Sequence, residues 1–142
     1  MSASGAAGPV GVTSVRVRYA ETDQQGVAYH GEYFVWMEIG RTALLRELGF
    51  PYDRLEADGL FFAVSEASCR YQGAARYEEE VAIETRCRKV QSRAVVFDYE
   101  LRVGERRVAT GSTTLIALDA HRRPRRIPEP VADRLRGRYP RG

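Results

Sequence analysis

An α+β domain, in which an antiparallel five-stranded sheet wraps one long central helix, is the fold this sequence predicts. Three observations predict it. From about Glu32 to Leu48 the chain carries apolar residues around most of a helical circumference. One segment before it alternates in the manner of a half-buried strand, and four after it read as strands, of which Glu80 to Val90 alternates too. The four later segments follow one another through short turns, the spacing of antiparallel hairpins. A helix that is apolar nearly all round must be buried on more than one side. A sheet curled around it meets that need.

The elements are justified in order. Ser14 to Tyr19 alternates, with Val15, Val17 and Tyr19 on one face, and reads as the first strand. Tyr33, Met37, Gly40, Leu44 and Leu48 form a helical stripe, and Phe34, Trp36, Ala43 and Leu45 widen it. Gly49 is a candidate left-handed cap and Pro51 a stop. A turn or short helix over Tyr52 to Ala57 leads to a strand from Leu60 to Tyr71. Glu80 to Val90 follows, with Val81, Ile83, Thr85 and Cys87 on one face. Ala94 to Val103, a tight turn at Gly104-Glu105 and Arg107 to Leu118 complete the sheet.

The chain has 142 residues, enough for one domain with a core. No window approaches the roughly 18 apolar residues of a membrane span. The opening MSASGAAGPVGV has no Lys or Arg ahead of its apolar residues and is too weak for a secretory signal. We expect a disordered lead-in over 1–12, a domain over 13–130 and a basic tail over 131–142. Two cysteines without CxxC spacing, Cys69 and Cys87, suggest neither a disulfide framework nor a zinc site. A cytoplasmic protein with no metal and no cofactor is the expectation.

Net charge is +3, and it is uneven. From Ala120 onward eight arginines face only Glu129 and Asp133, which leaves the preceding residues at −3. Such a tail can meet nucleic acid, an acidic surface or a phosphorylated ligand. Since 21 of the 22 basic residues are Arg, a general preference for Arg accounts for it equally well.

The stretch RYAETDQQGVAYHGEYF carries the chemistry. If the first strand ends at Tyr19 and the helix begins at Glu32, residues 20–31 form a loop beside a helix N-terminus. Unpaired N–H groups and partial positive charge there can polarise a carbonyl. Gly26 permits a bend or a close approach. Asp23 can face the carbonyl carbon as nucleophile or as base for water, and His30 can position substrate or share the proton work. Turn or capping duty for Asp23 and a surface place for His30 stand beside this reading. The chain shows no GxSxG elbow and no metal-ligand spacing. An unassisted carboxylate suits an activated acyl group such as a thioester, whose thiol has a pKa of about 8.5 and leaves as thiolate.

The run VRYAETDQQGVAYHGEYFVWMEIGRTALLRELG resembles the signature of the 4-hydroxybenzoyl-CoA thioesterase family, nearest its Tol–Pal-associated bacterial acyl-CoA thioesterase branch. The resemblance is dense over Val15 to Gly49 and looser beyond. It implies the hotdog fold and hydrolysis of acyl-CoA to acid and coenzyme A. It implies Asp23 as the catalytic carboxylate, with Tyr19 and His30 beside it. It also implies a backbone N–H near Tyr29 and His30 that holds the thioester carbonyl. Ala28 departs from the pattern, where relatives often carry a larger β-branched residue. Other hotdog lineages place their carboxylate on the central helix, which makes Glu38 a rival. Arg41, three residues on, gives it the spacing of a structural ion pair.

The resemblance further implies homodimers that pair into homotetramers. Phe34, Val35, Trp36 and Met37, four consecutive apolar residues, agree with a helix covered on several sides. Arg86, Arg88, Lys89 and Arg93, with Arg122 and Arg123, are candidates for the coenzyme A phosphates, which forked guanidinium hydrogen bonds suit. Phe50, Tyr52, Phe61 and Phe62 are candidates for an acyl pocket or for core. Three alternatives remain. A hotdog hydratase would carry a DxNPxH-like motif, but here Asp23 and His30 stand seven apart with no Asn-Pro between them. A non-catalytic acyl-CoA-binding module would not need Asp23 or His30. A nucleic-acid binder lacks a recognised motif.

Overall fold

The computed structural model describes residues 8–138. Residues 1–7 of the expected lead-in and 139–142 of the tail lie outside the described residues. Strands β1 (Val10–Arg16), β2 (Phe61–Tyr71), β3 (Glu80–Val90), β4 (Ala94–Val103) and β5 (Arg106–Leu118) form one antiparallel sheet. Its order is β1-β3-β4-β5-β2. Helix α1 (Glu32–Glu47) packs on β1, β2, β3 and β4. The short helices α2 (Tyr52–Ala57) and α3 (Glu129–Leu135) complete the fold. No helix among the described residues is long and apolar enough to cross a membrane.

The predicted inner face of β3 is the observed one: Val81, Ile83, Thr85 and Cys87 are all buried. Trp36, Met37, Leu44 and Leu45 of α1 pack with them, as do Phe97 and Leu101 of β4. Helix α1 stops as expected. Gly49 takes φ +95°, and the Phe50 N–H reaches back to the Leu45 carbonyl at 2.9 Å.

The first strand lies earlier than its alternation suggested. It starts at Val10, inside the expected lead-in, and ends at Arg16; Tyr19 does not continue its inner face. The reason is Gly11. A Cβ there would sit 3.1 Å from Leu44 Cδ1, so the inward position under the end of α1 takes no side chain and gives no apolar signal. Gly40 provides the matching approach in the middle of α1. A Cβ on it would fall 2.4 Å from Thr85 Oγ1 and 2.7 Å from Ile83 Cγ2. Gly40→Ala therefore forces α1 off β3. We expect a loss of about 2 kcal/mol in urea denaturation, although alanine is the better helix former.

The boundary drawn at residue 130 falls inside α3, whose Val131, Ala132 and Leu135 are buried. Several arginines of the basic region serve backbone carbonyls. Arg134 donates to Leu48 O at the negative end of α1, Arg125 to Gly59 O and Arg136 to Val90 O. Three of the region's eight arginines thus serve carbonyls at the ends of helices and a strand within the domain.

Candidate active site

The site grows from a buried carboxylate that sequence spacing did not reveal. A 3-10 turn at Tyr19–Glu21 follows β1. Glu21 is 6% exposed. Its Oε1 accepts the Arg18 N–H at 2.8 Å, and its Oε2 accepts the Trp36 indole N–H at 3.3 Å. The Arg18 guanidinium lies 3.5 Å away. The Glu21 carbonyl accepts the Tyr29 N–H at 2.8 Å. One residue thus ties the incoming strand, the loop and the middle of the first turns of α1.

Residues 22–28 form a tight hairpin. Asp23 N–H donates to Val27 O at 2.9 Å, Gly26 N–H donates to Asp23 O at 3.0 Å, and Gly26 takes φ +80°. The Thr22–Ala28 bridge closes it, and the Val27–Arg76 bridge and the Ala28 N–H to Ala75 O bond at 2.8 Å anchor it to the chain ahead of β3. Asp23 Oδ1 accepts the Gln25 N–H at 2.8 Å. The turn duty weighed for this residue is real. It engages one carboxylate oxygen of an exposed side chain.

Helix α1 starts immediately afterwards. Gly31 is its cap and supplies no side-chain hydrogen bond. A Cβ on Gly31 would lie 2.8 Å from the Tyr29 ring, so a side chain here would displace that ring. The expectation that Tyr29 and His30 both offer an N–H is halved, because Tyr29 N–H is committed to Glu21. The His30 and Gly31 N–H groups donate to no acceptor among the described residues. The His30 ring packs on Tyr29 with centroids 4.3 Å apart and meets Tyr71 edge-on at 6.3 Å. The Tyr71 O–H, from the end of β2, donates to His30 O at 2.7 Å. Desolvation, helped by Cys69, pushes the Tyr71 pKa up to about 12, so it is a proton donor throughout the neutral range.

Asp23 and His30 thus flank one loop and the helix start it leads into. Tyr19 is placed differently. Its side chain is 77% exposed and packs edge-on against Tyr77 at 5.8 Å, with no hydrogen bond to Asp23 or His30 among the described residues. Arg86, Arg88, Lys89 and Arg93 lie at the opposite end of the sheet. Arg86 is opposite Val10, and the neighbouring Gly11 sits under Leu44, near the C-terminus of α1. The 16 residues of α1 span about 24 Å. Arg88 is also engaged, donating to Asp98 Oδ2 at 2.7 Å. Arg122 and Arg123 follow β5 at that same far end. Arg122 lines a groove of about 210 Å³ with Phe61 and Phe62. Phe50, Tyr52 and Phe62 pack against the core. Exposed arginines nearer the candidate site include Arg18, Arg70 beside Tyr71, and Arg76 beside Val27.

The expected Glu38–Arg41 pair is not formed. Glu38 is exposed, whereas Arg41 is 7% exposed and turns inward. Its guanidinium lies beside the hydroxyls of Tyr99 and Tyr52, and its Nε has no hydrogen-bond partner among the described residues. The inward rotamer places the cation between helix and sheet, out of reach of a carboxylate on the outer face. Other nucleophiles are poorly poised: burial pushes the Cys87 thiol up to about 12 and raises that of Cys69. No cluster of three or more His, Cys, Asp or Glu suited to a metal occurs among the described residues.

This geometry has relatives. A family profile described as "Thioesterase superfamily" matches residues 25–110. YneP of Bacillus subtilis is 39% identical over 87 residues, which cover 61% of this chain and 63% of YneP. The acyl-CoA thioester hydrolase YbgC of Escherichia coli O6:H1 is 28% identical over 119 residues, 82% of this chain and 89% of that protein. The crystal structure of a DHNA-CoA thioesterase from Staphylococcus aureus superposes with a TM-score of 0.79 at 34% identity, covering 82% of this chain and 80% of that one.

Proposed function

The chain belongs to the thioesterase superfamily, and from that premise we propose that it hydrolyses an acyl-CoA thioester to a free acid and coenzyme A. The observation that carries the proposal is the exposed Asp23 carboxylate on a loop that runs directly into the open N–H groups of His30 and Gly31. The thioester oxygen accepts the His30 N–H, with the helix dipole behind it. Asp23 then takes a proton from the water that attacks the carbonyl carbon, or attacks that carbon itself to form a mixed anhydride, which water cleaves after coenzyme A has left to release the acid and restore the carboxylate. The C–S bond breaks, and coenzyme A leaves as a thiolate that takes up a proton from solvent. His30 positions the acyl group or relays the proton. Within the superfamily we place the chain nearest the Tol–Pal-associated branch. The RY…ETD…G…YH signature and the similarity to YbgC support that placement.

The assembly we propose is a homodimer that pairs into a homotetramer. The long edge strand β2 is largely exposed, and α1 presents Val35 and Ile39 to solvent one turn apart. For the coenzyme A phosphates, Arg70 and Arg76 sit on the site's side of the protomer, while Arg86, Arg88, Lys89 and Arg93 suit a phosphate brought by a neighbouring copy. Arg76→Ala is expected to raise KM for acyl-CoA about fivefold and leave kcat within twofold, as loss of one exposed charge contact does. Steady-state kinetics at two ionic strengths check this. An unchanged KM rules Arg76 out.

The reading is tested by thiol release across short, long and aromatic acyl-CoA substrates. Turnover of at least one is expected, and turnover of none contradicts it. The engagement of Asp23 Oδ1 by Gln25 favours one second reading, an acyl-CoA-binding module without catalysis. Tight binding with no thiol release is its signature.

A further inference from the structure

We propose that Tyr71 is a positioning residue for the carbonyl-holding peptides at the start of α1. It acts through its hydrogen bond to His30 O and rests on the thioesterase reading given above. The Tyr71 O–H donates to that carbonyl at 2.7 Å. The same peptide unit carries the Gly31 N–H, one of the two donors left open at the helix start. A hydrogen bond accepted at one end of a peptide polarises the N–H at the other. It also fixes the plane of the peptide, and so the direction in which the donors point. No other strong partner does this: the helical bond from Tyr33 N–H to His30 O is long, at 3.4 Å.

The direction of Tyr71 is itself set from the core. Its ring meets the buried Tyr33 edge-on at 5.0 Å, and Tyr33 packs on the fully buried Trp36 at 4.9 Å. Trp36 is held by Glu21, the residue that also shapes the Asp23 loop. The two halves of the site, carboxylate loop and helix start, are therefore referenced to one anchored indole. Tyr71 adds a contact from the far edge of the sheet, because β2 is the edge strand opposite β1. The order of that edge is thereby coupled to the geometry that holds the carbonyl. Tyr71 touches no reacting atom. Its effect belongs in kcat rather than in substrate affinity.

Tyr71→Phe keeps the ring packing and deletes only the hydroxyl. We expect kcat to fall about tenfold, less than removal of a direct oxyanion donor, with KM within twofold and the melting temperature nearly unchanged. In the amide spectrum of the free variant, the Gly31 proton is expected to move upfield while those of α2 stay in place. That second reading needs no turnover. A kcat within twofold of wild type, or a static Gly31 amide, overturns the proposal. So does a kcat loss matched by an equal fall in thermal stability. A wild type that hydrolyses no acyl-CoA sinks the thioesterase reading itself, a result distinct from any difference between the two proteins.

Discussion

Asp23→Asn is expected to lower thiol release by about three orders of magnitude with KM within a few-fold. The substitution separates chemistry from architecture unusually well at this position. An asparagine oxygen can accept the Gln25 N–H as the carboxylate does, and asparagine favours the same turn. The hairpin over 22–28 is also held by its own backbone bonds and by the bridge to Arg76. Stability and binding should therefore persist while the negative charge, and with it both the nucleophile and the base, disappears. Steady-state kinetics and a thermal melt on one preparation check both halves. Full activity in Asp23→Asn would transfer the role to another group. Glu38→Gln is the first comparison, since Glu38 is exposed and not ion-paired with Arg41.

Glu21→Ala is expected to cost about 3 kcal/mol, because it strips acceptors from two donors at once. The Trp36 indole N–H is buried, and the Arg18 N–H lies at the head of the 3-10 turn. At roughly 3 °C per kcal/mol for a domain of this size, the melting temperature should fall about 10 °C. Activity should fall as well, although Glu21 touches no substrate, because its carboxylate fixes the 3-10 turn whose backbone carbonyl holds Tyr29 just ahead of the open donors. Glu21→Gln, which retains one acceptor oxygen, should lose about half as much stability. A melting point within 2–3 °C of wild type in the alanine variant would mean that the indole finds another acceptor, roughly a loss under 1 kcal/mol.

The sequence made the helix and the later strands legible because their signals are periodic and apolar. The inner face of β3 and the stop at Gly49 are examples. Where glycine replaces a side chain at a close approach, the pattern goes silent, which is why β1 was placed too late. The C-terminal boundary was misplaced for another reason. Charge in the last turns of the chain masked Val131, Ala132 and Leu135, and nothing local tells that Arg134 serves the end of α1.

The site was legible in part. Asp23 and His30 stand at a loop and at the helix start it leads into, as the strand-to-helix transition indicates. Glu21 precedes Asp23 by two residues, yet its burial depends on Trp36, fifteen residues away on a separate element. Tyr71 is forty-one residues from His30 and meets it only through the sheet. The distance of the first phosphate candidates from the helix start was hidden for the same reason. Charge type is visible in a sequence, but which end of a strand faces the helix N-terminus is not.

In the mechanism we propose, the start of α1 holds a thioester carbonyl opposite Asp23. The most direct test is an amide titration with an acyl-CoA ketone analogue, in which a methylene replaces the sulfur and the carbonyl remains. A saturating downfield shift of the His30 amide proton is expected, accompanied by changes through residues 23–31. Saturation with those amides unmoved would contradict this placement.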